Sequence, residues 1–217
     1  PIAERIEKVR VLRQNSDRNA TNKLANVAYR FGEVRHQETD SIIVPRTSSE
    51  RREYIPLGFL TSETVIADSA MAIYDAQPWL FGIIHSKMHM VWVNAVGGKL
   101  ETRYRYSAKL CYNTFPFPDI SLKQKENLNL YVFAVLDERA RHPEKTMAQL
   151  YDPDKMPAGL KQAHQELDRA VEQCYRLQPF TSDTERLEYL FKLYEQMSQQ
   201  DSLFAKQKPF KKTKGAS

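Results

Sequence analysis

The segment Phe115-Pro116-Phe117-Pro118 places the firmest limit on how this 217-residue chain can fold. Each proline removes a backbone donor and drives the residue before it out of the helical region. No helix or central strand can run through such a stretch, so the chain divides there. On its N-terminal side, short β-branched and aromatic runs are broken by Gly, Pro, Asp and Ser. On its C-terminal side, apolar residues recur at helical spacing. The expected fold class is α+β: a mixed-sheet domain over residues 1–118, a helical segment over 119–200, and a lysine-rich, disordered tail over 201–217.

Along the first part, Ile2, Ile6, Val9 and Leu12 predict a charged helix over 2–15, followed by polar loop over 16–23. Residues 41–45 (SIIVP) read as a strand that Pro45 ends or pushes to an edge. Residues 55–60 read as strand or turn, and 64–73 as two short strands around Asp68 and Ser69. Residues 77–93 predict one helix, with Pro78 suited to its first turn. Gly97 and Gly98 end that helix and permit a tight turn into a strand over 99–107.

In the second part, helices are expected over 121–141 and 158–178. The latter carries Leu160, Ala163, Leu167, Ala170, Val171 and Cys174 on one side. Ser182 and Glu185 match a capping box opening a last helix over 183–197. Between them, residues 142–157 carry three prolines and read as loop or short helices. No internal repeat is present.

Function narrows by what is absent. No phosphate-cradling glycine loop occurs. His85 and His89 stand four apart, a zinc-ligand spacing, but without the intervening Glu or any CxxC pair to complete a site. Cys111 reads as a small core residue. The only other cysteine is Cys174, which fits a reducing cytosol better than a disulfide framework. No acid pair is followed by Glu-x-Lys, and no glycine-rich cofactor loop stands beside a Pro-Pro-aromatic motif. No catalytic constellation emerges, and no run of about 18 apolar residues suits a membrane. The chain opens without Met, as a piece of a longer polypeptide would. The net charge of +5 leans toward a polyanionic partner.

The charge is concentrated where the strand over 99–107 is expected. Glu101, Arg103 and Arg105 alternate, so an extended strand projects them from one face. Such a row can read base edges, with Arg forking onto guanine and Glu accepting from cytosine N4. It can equally be an exposed ion-pair ladder, the plainer account on composition alone. Tyr104 and Tyr106 fall on the other face, as core. Arg46, Ser48, Ser49 and Arg51 lie on a loop after a strand, and with Lys99 and Lys109 they suit phosphate contacts. A solvated loop explains the first group equally well.

Taken together, PRTSSERREYIPLGFL (45–60), ADSAMAIYDA (67–76), WLFGIIHSKMHMVWV (79–93), GGKLETRYRYS (97–107) and YNTFPFP (112–118) resemble the target-recognition domain of single-chain type IIG/type IIL restriction–modification enzymes. YDPDKMPAGLKQAHQELDRAVEQCY (151–175) is similar to the helical segment that follows it in that group. The resemblance implies a parent DNA adenine-N6 methyltransferase, cytoplasmic, sometimes carrying a nuclease. Its cofactor, S-adenosylmethionine, would sit in a catalytic domain missing here, leaving this chain none. It implies double-stranded DNA as partner, beside that missing domain. It further implies base reading by Glu101 with Arg103, by Arg105, and near Asp68 and Ser69. The other reading is a subunit-docking module in which residues 119–200 do the binding.

Overall fold

The structure is a computed structural model that describes residues 1–205, with side chains as far as residue 199. The chain separates into two units, residues 1–38 and the remainder from Thr39. In the first, helix α1 (Ile2–Gln14) precedes a short α2 (Asn19–Lys23) and a 3₁₀ turn at Leu24–Val27. α2 lies where the sequence reads as loop. The Arg13 guanidinium closes this unit, donating to the carbonyls of Leu24 and Val27 at 3.0 Å and of Arg30 at 2.9 Å.

The second unit is α+β. Strand β1 (Ser41–Pro45) is central in a sheet with β3 (Gly58–Leu60) and β4 (Ala70–Tyr74). Strand β2 (Thr47–Ser48) joins a second sheet with β5 (Gly98–Leu100) and β6 (Arg103–Arg105), in the order β2-β6-β5. Every pairing is antiparallel, so the sheets are not mixed as expected. Only β5 and β6 are joined as a hairpin; the other pairs form between strands far apart in sequence. Between 64 and 74 there is one strand, β4, rather than two; Asp68 and Ser69 lie in the turn before it.

The single helix expected over 77–93 is two, α3 (Pro78–Ile84) and α4 (Lys87–Val96). Ser86 causes the break. Its hydroxyl donates back to the Ile83 carbonyl at 2.7 Å and accepts the His89 amide at 3.4 Å, starting a new helix. His85 therefore caps the end of α3 while His89 lies in α4, each 1% exposed rather than half-buried on one amphipathic face. α4 ends at Gly97, where any Cβ would collide with the Val93 carbonyl.

The helical half follows its periodicity closely. α5 (Leu122–Ala140) opens with a capping box between Ser121 and Gln124, and a short α6 (Met147–Leu150) opens with another between Thr146 and Gln149. α7 (Ala158–Tyr175) buries Leu160, Ala163, Leu167, Ala170 and Val171. α8 (Asp183–Ala205) extends past residue 197. Ser182 does accept the Glu185 amide at 3.1 Å, but the Glu185 carboxylate takes the Thr181 N–H and hydroxyl instead of closing a box. The lysine-rich tail, from residue 206, lies outside the described residues. Among the described residues, no helix is long and apolar enough to cross a membrane.

The core lies where α3, α4, α5 and α7 meet, around Phe81, Trp92, Val132, Leu160 and Leu167. One polar cluster is enclosed with it. His164 Nε2 and the Tyr151 hydroxyl are 2.8 Å apart, and Arg139 Nε donates to that hydroxyl at 2.7 Å. Arg139 also lies 3.3 Å from His85 Nδ1. The Tyr54 ring stacks on His164 at 4.2 Å, and its hydroxyl donates to Asp168 at 2.7 Å. Burial pushes the Asp168 carboxyl up to about 6, against its hydrogen bonds from Tyr54 and the Lys87 amide. Burial, with the charges of His164 and Arg139, holds His85 well below the ordinary imidazole range; burial and Arg139 do the same to His164, and burial holds His89 at about 3.

Two outcomes follow from this packing. A Cβ on Gly82 would stand 2.9 Å from Val132 Cγ2 and 3.2 Å from Leu167 Cδ1. Overpacking costs about 1–3 kcal/mol, against about 1 kcal/mol of helix propensity regained. Gly82→Ala is expected to lower the denaturant midpoint, and a raised midpoint would contradict the packing. The second outcome concerns pH. The three imidazoles bind protons in the unfolded chain near about pH 6.5 but not in the fold, so their stabilisation is present above that value and lost as pH falls. Asp168 has the opposite sign: the stability it lends is present below its ordinary 3.8 and lost as pH rises through about 6. Three groups outweigh one, so unfolding midpoints should drop from about pH 7 to about pH 4.5, and more steeply in Asp168→Asn. A midpoint that rises on acidification would mean the imidazoles are charged in the fold.

Candidate nucleic-acid interface

Three segments that are remote in sequence meet at the main chain of Arg46. This residue lies between β1 and β2 and so belongs to neither sheet. Its N–H donates to the Ser69 carbonyl at 3.1 Å, at the head of β4, and its carbonyl accepts the Tyr106 N–H at 2.8 Å, past the end of β6. Arg46, Asp68–Ser69 and the Arg103–Arg105 strand are thereby gathered on one edge, and all of these side chains are exposed except that of Tyr104.

Strand β6 alternates as its sequence predicts. Arg103 and Arg105 face solvent, while Tyr104 is 9% and Tyr106 5% exposed. The Tyr106 hydroxyl lies 2.8 Å from His89 Nε2, so α4 backs the strand from behind. Across the sheet, Thr47 is opposite Arg105 and Ser48 opposite Tyr104.

Glu101 departs from the expected row. The stretch 98–105 is a hairpin in which Leu100 pairs with Arg103, leaving Glu101 and Thr102 as a two-residue loop. Glu101 has φ 58°, while Thr102 is not in the left-handed region, the pattern of a type II′ turn that ordinarily takes glycine there. The sequence places Glu101 on the strand because its alternation with Arg103 and Arg105 continues the period; the turn interrupts it. The carboxylate still reaches its neighbour, accepting from Arg103 Nη2 at 3.1 Å. That pair is 55% and 73% exposed, so it is weak and readily exchanged for other partners. A non-glycine residue in this conformation costs roughly 1–3 kcal/mol, the kind of local strain that clusters at binding sites.

The expected phosphate contacts divide. Arg46 and Lys109 are exposed and, like Arg105, form no ion pair among the described residues. Lys99 is exposed but engaged, donating to Asn94 at 3.0 Å with its ammonium 4.0 Å above the Tyr104 ring. Arg51 is paired with Asp154 at 2.7 Å. Ser49 is half-buried and its hydroxyl accepts the Arg51 amide at 3.3 Å. Ser48 is a correction: at 3% exposure it sits on the inward face of β2, because the strand's alternation turns Thr47 outward instead. Among the described residues, no three His, Cys, Asp or Glu side chains gather to hold a metal.

Sequence reading missed Glu50. Its carboxyl lies below the ordinary range, held there by its own backbone N–H, by the Thr102 hydroxyl and by the charges of Arg103 and Arg51. It missed also the enclosed cluster behind the loop, whose members stand as far apart as Tyr54 and Asp168. No local pattern marks either.

Residues 1–119 match the family model described as the MmeI target recognition domain, and residues 120–202 the MmeI C-terminal domain. DNA methyltransferase A of Bacillus subtilis (strain 168) is 46% identical over 198 residues, 91% of this chain and 22% of that protein. The structure of the type IIL restriction–modification enzyme MmeI in complex with DNA superposes with a TM-score of 0.87 at 38% identity, over 91% of this chain and 26% of that one. The chain thus spans about a quarter of the length of these relatives.

Proposed function

This chain belongs to the family of the MmeI target recognition and C-terminal domains, and on that premise we propose that it reads double-stranded DNA sequence for a larger restriction–modification DNA methyltransferase. The observation that carries the reading is the junction at Arg46, which brings every candidate base-reading segment to one exposed, cationic edge.

On that edge the roles follow from chemistry. Arg103 and Arg105 point outward from a short, anchored strand, and a guanidinium forks onto guanine O6 and N7. Glu101, next to Arg103 on the turn, is placed to accept from cytosine N4, so the pair suits a C·G base pair. On binding, the exposed Glu101–Arg103 contact is exchanged for base edges. Asp68 and Ser69 sit across Arg46 as further readers. Arg46, Lys99 and Lys109 supply phosphate attraction that fixes register without reading sequence. Arg51 joins them if its exposed tie to Asp154 opens.

The methyl donor, S-adenosylmethionine, and the adenine-N6 chemistry belong on this reading to the longer polypeptide. No glycine-rich cofactor loop occurs within residues 1–217, and no step of the reaction is assigned to them.

Selection from randomised duplexes with the full-length polypeptide should recover a defined site. Arg103→Ala should relax one position of it by about 1–3 kcal/mol. Lys109→Ala should weaken binding evenly on all sequences and flatten the salt slope by about one. Equal losses on every duplex for both variants would refute the division of roles. Binding with no salt dependence would favour a protein-docking module instead.

A further inference from the structure

The loop that follows the reading edge is strapped to the C-terminal half at closely spaced points. Arg51 pairs with Asp154 at 2.7 Å, and Glu53 with Lys161 at 3.4 Å. The Tyr54 hydroxyl donates to Asp168 Oδ2 at 2.7 Å, and Arg139 Nη1 donates to the Leu57 carbonyl at 2.8 Å. The first two ties are exposed and individually weak. The other two are enclosed, and there a lost partner leaves a desolvated polar group behind.

Asp168 is a joint as well as a tie. Its other oxygen accepts the Lys87 amide at 2.6 Å, the first N–H of α4 and one that has no partner within the helix. Two routes therefore run from Asp168 to the reading edge. One passes through Tyr54 to the turn in which the Arg52 amide donates to the Ser49 carbonyl at 3.2 Å. The β2–β6 register (Thr47 opposite Arg105, Ser48 opposite Tyr104) carries that turn toward the Glu101–Thr102 loop. The other passes along α4 to His89 and so to Tyr106, just past the end of β6.

We infer that Asp168, on α7, is a positioning residue for base reading, holding the 50–57 segment and α4 so that Arg103 and Arg105 meet the groove in one geometry. This rests on the base-reading role proposed above. Asp168 does not touch DNA on this account. A bidentate contact tolerates only about 0.5 Å of displacement before it loses discrimination, so a loosened support lowers selectivity before it lowers affinity.

The test uses the full-length polypeptide and two duplexes, the selected site and a random sequence. Tyr54→Phe keeps the ring on His164 and removes only the hydroxyl. Asp168→Asn keeps an acceptor for the Lys87 amide, and stands in should Tyr54→Phe fail to fold. Each is expected to cut the ratio of selected to random affinity by about 3- to 10-fold, the span of one net hydrogen bond. Random-duplex affinity should stay within about twofold and its salt slope unchanged, because no phosphate contact is lost. In a double-mutant cycle, Tyr54→Phe should add little to Arg103→Ala at the base pair Arg103 reads, whereas general destabilisation would be additive. Amide exchange should quicken in 100–105 as well as in 50–57. A ratio unchanged by both variants, with Arg103→Ala still relaxing preference, overturns the positioning role and leaves base reading standing. A preference untouched by Arg103→Ala overturns base reading itself.

Discussion

The edge proposed to read DNA depends on the main chain of one residue, Arg46. Arg46 interrupts a strand that would otherwise run on from β1 into β2, and its two main-chain groups are divided between sheets. The N–H goes to the turn before β4, the carbonyl to the end of β6. Main-chain hydrogen bonds are specific in length and direction, so this division sets the distance between the Asp68–Ser69 turn and the Arg103–Arg105 strand more tightly than side-chain contacts could. The side chain of Arg46 is left free to face solvent.

What stands behind that edge differs in character from what stands on it. In front are exposed ions, weakly paired, which exchange partners at little cost. Behind are buried aromatics and imidazoles whose hydrogen bonds are shielded from water: Tyr106 with His89, Tyr54 with Asp168, Tyr151 with Arg139 and His164. Shielded bonds are strong and costly to leave unmade. The contrast matches a recognition surface, adaptable at its tips and rigid at its base. The family model that covers residues 120–202 is thereby joined to the one covering 1–119 through polar groups as well as apolar packing.

The helical half was legible because its signal is local. α5 and α7 lie where their apolar spacing puts them, and the Phe-Pro-Phe-Pro segment does stand free of helix and strand. On the edge proposed to read DNA, alternation located Arg103 and Arg105 outside and Tyr104 inside, but it ran straight through a turn. Nothing in Glu101-Thr102 announces a hairpin, since neither residue is the glycine or asparagine such turns favour. Ser48 failed for the same reason in reverse: a hydroxyl beside arginines looks exposed until the pairing with β6 turns it inward. The break at Ser86 was hidden because the run on both sides of it is apolar and helical.

Residue order by itself therefore determined the α+β class, the absence of helix and strand from Phe115 to Pro118 and the cationic alternation of β6, because each follows from rules that act within a few residues of chain. The tertiary structure decided which charges share a surface and which are withdrawn into the interior. Arg46 beside Ser69 and Tyr106, and Tyr54 against Asp168, are contacts across long stretches of sequence, set by strand register and helix packing that no local pattern encodes.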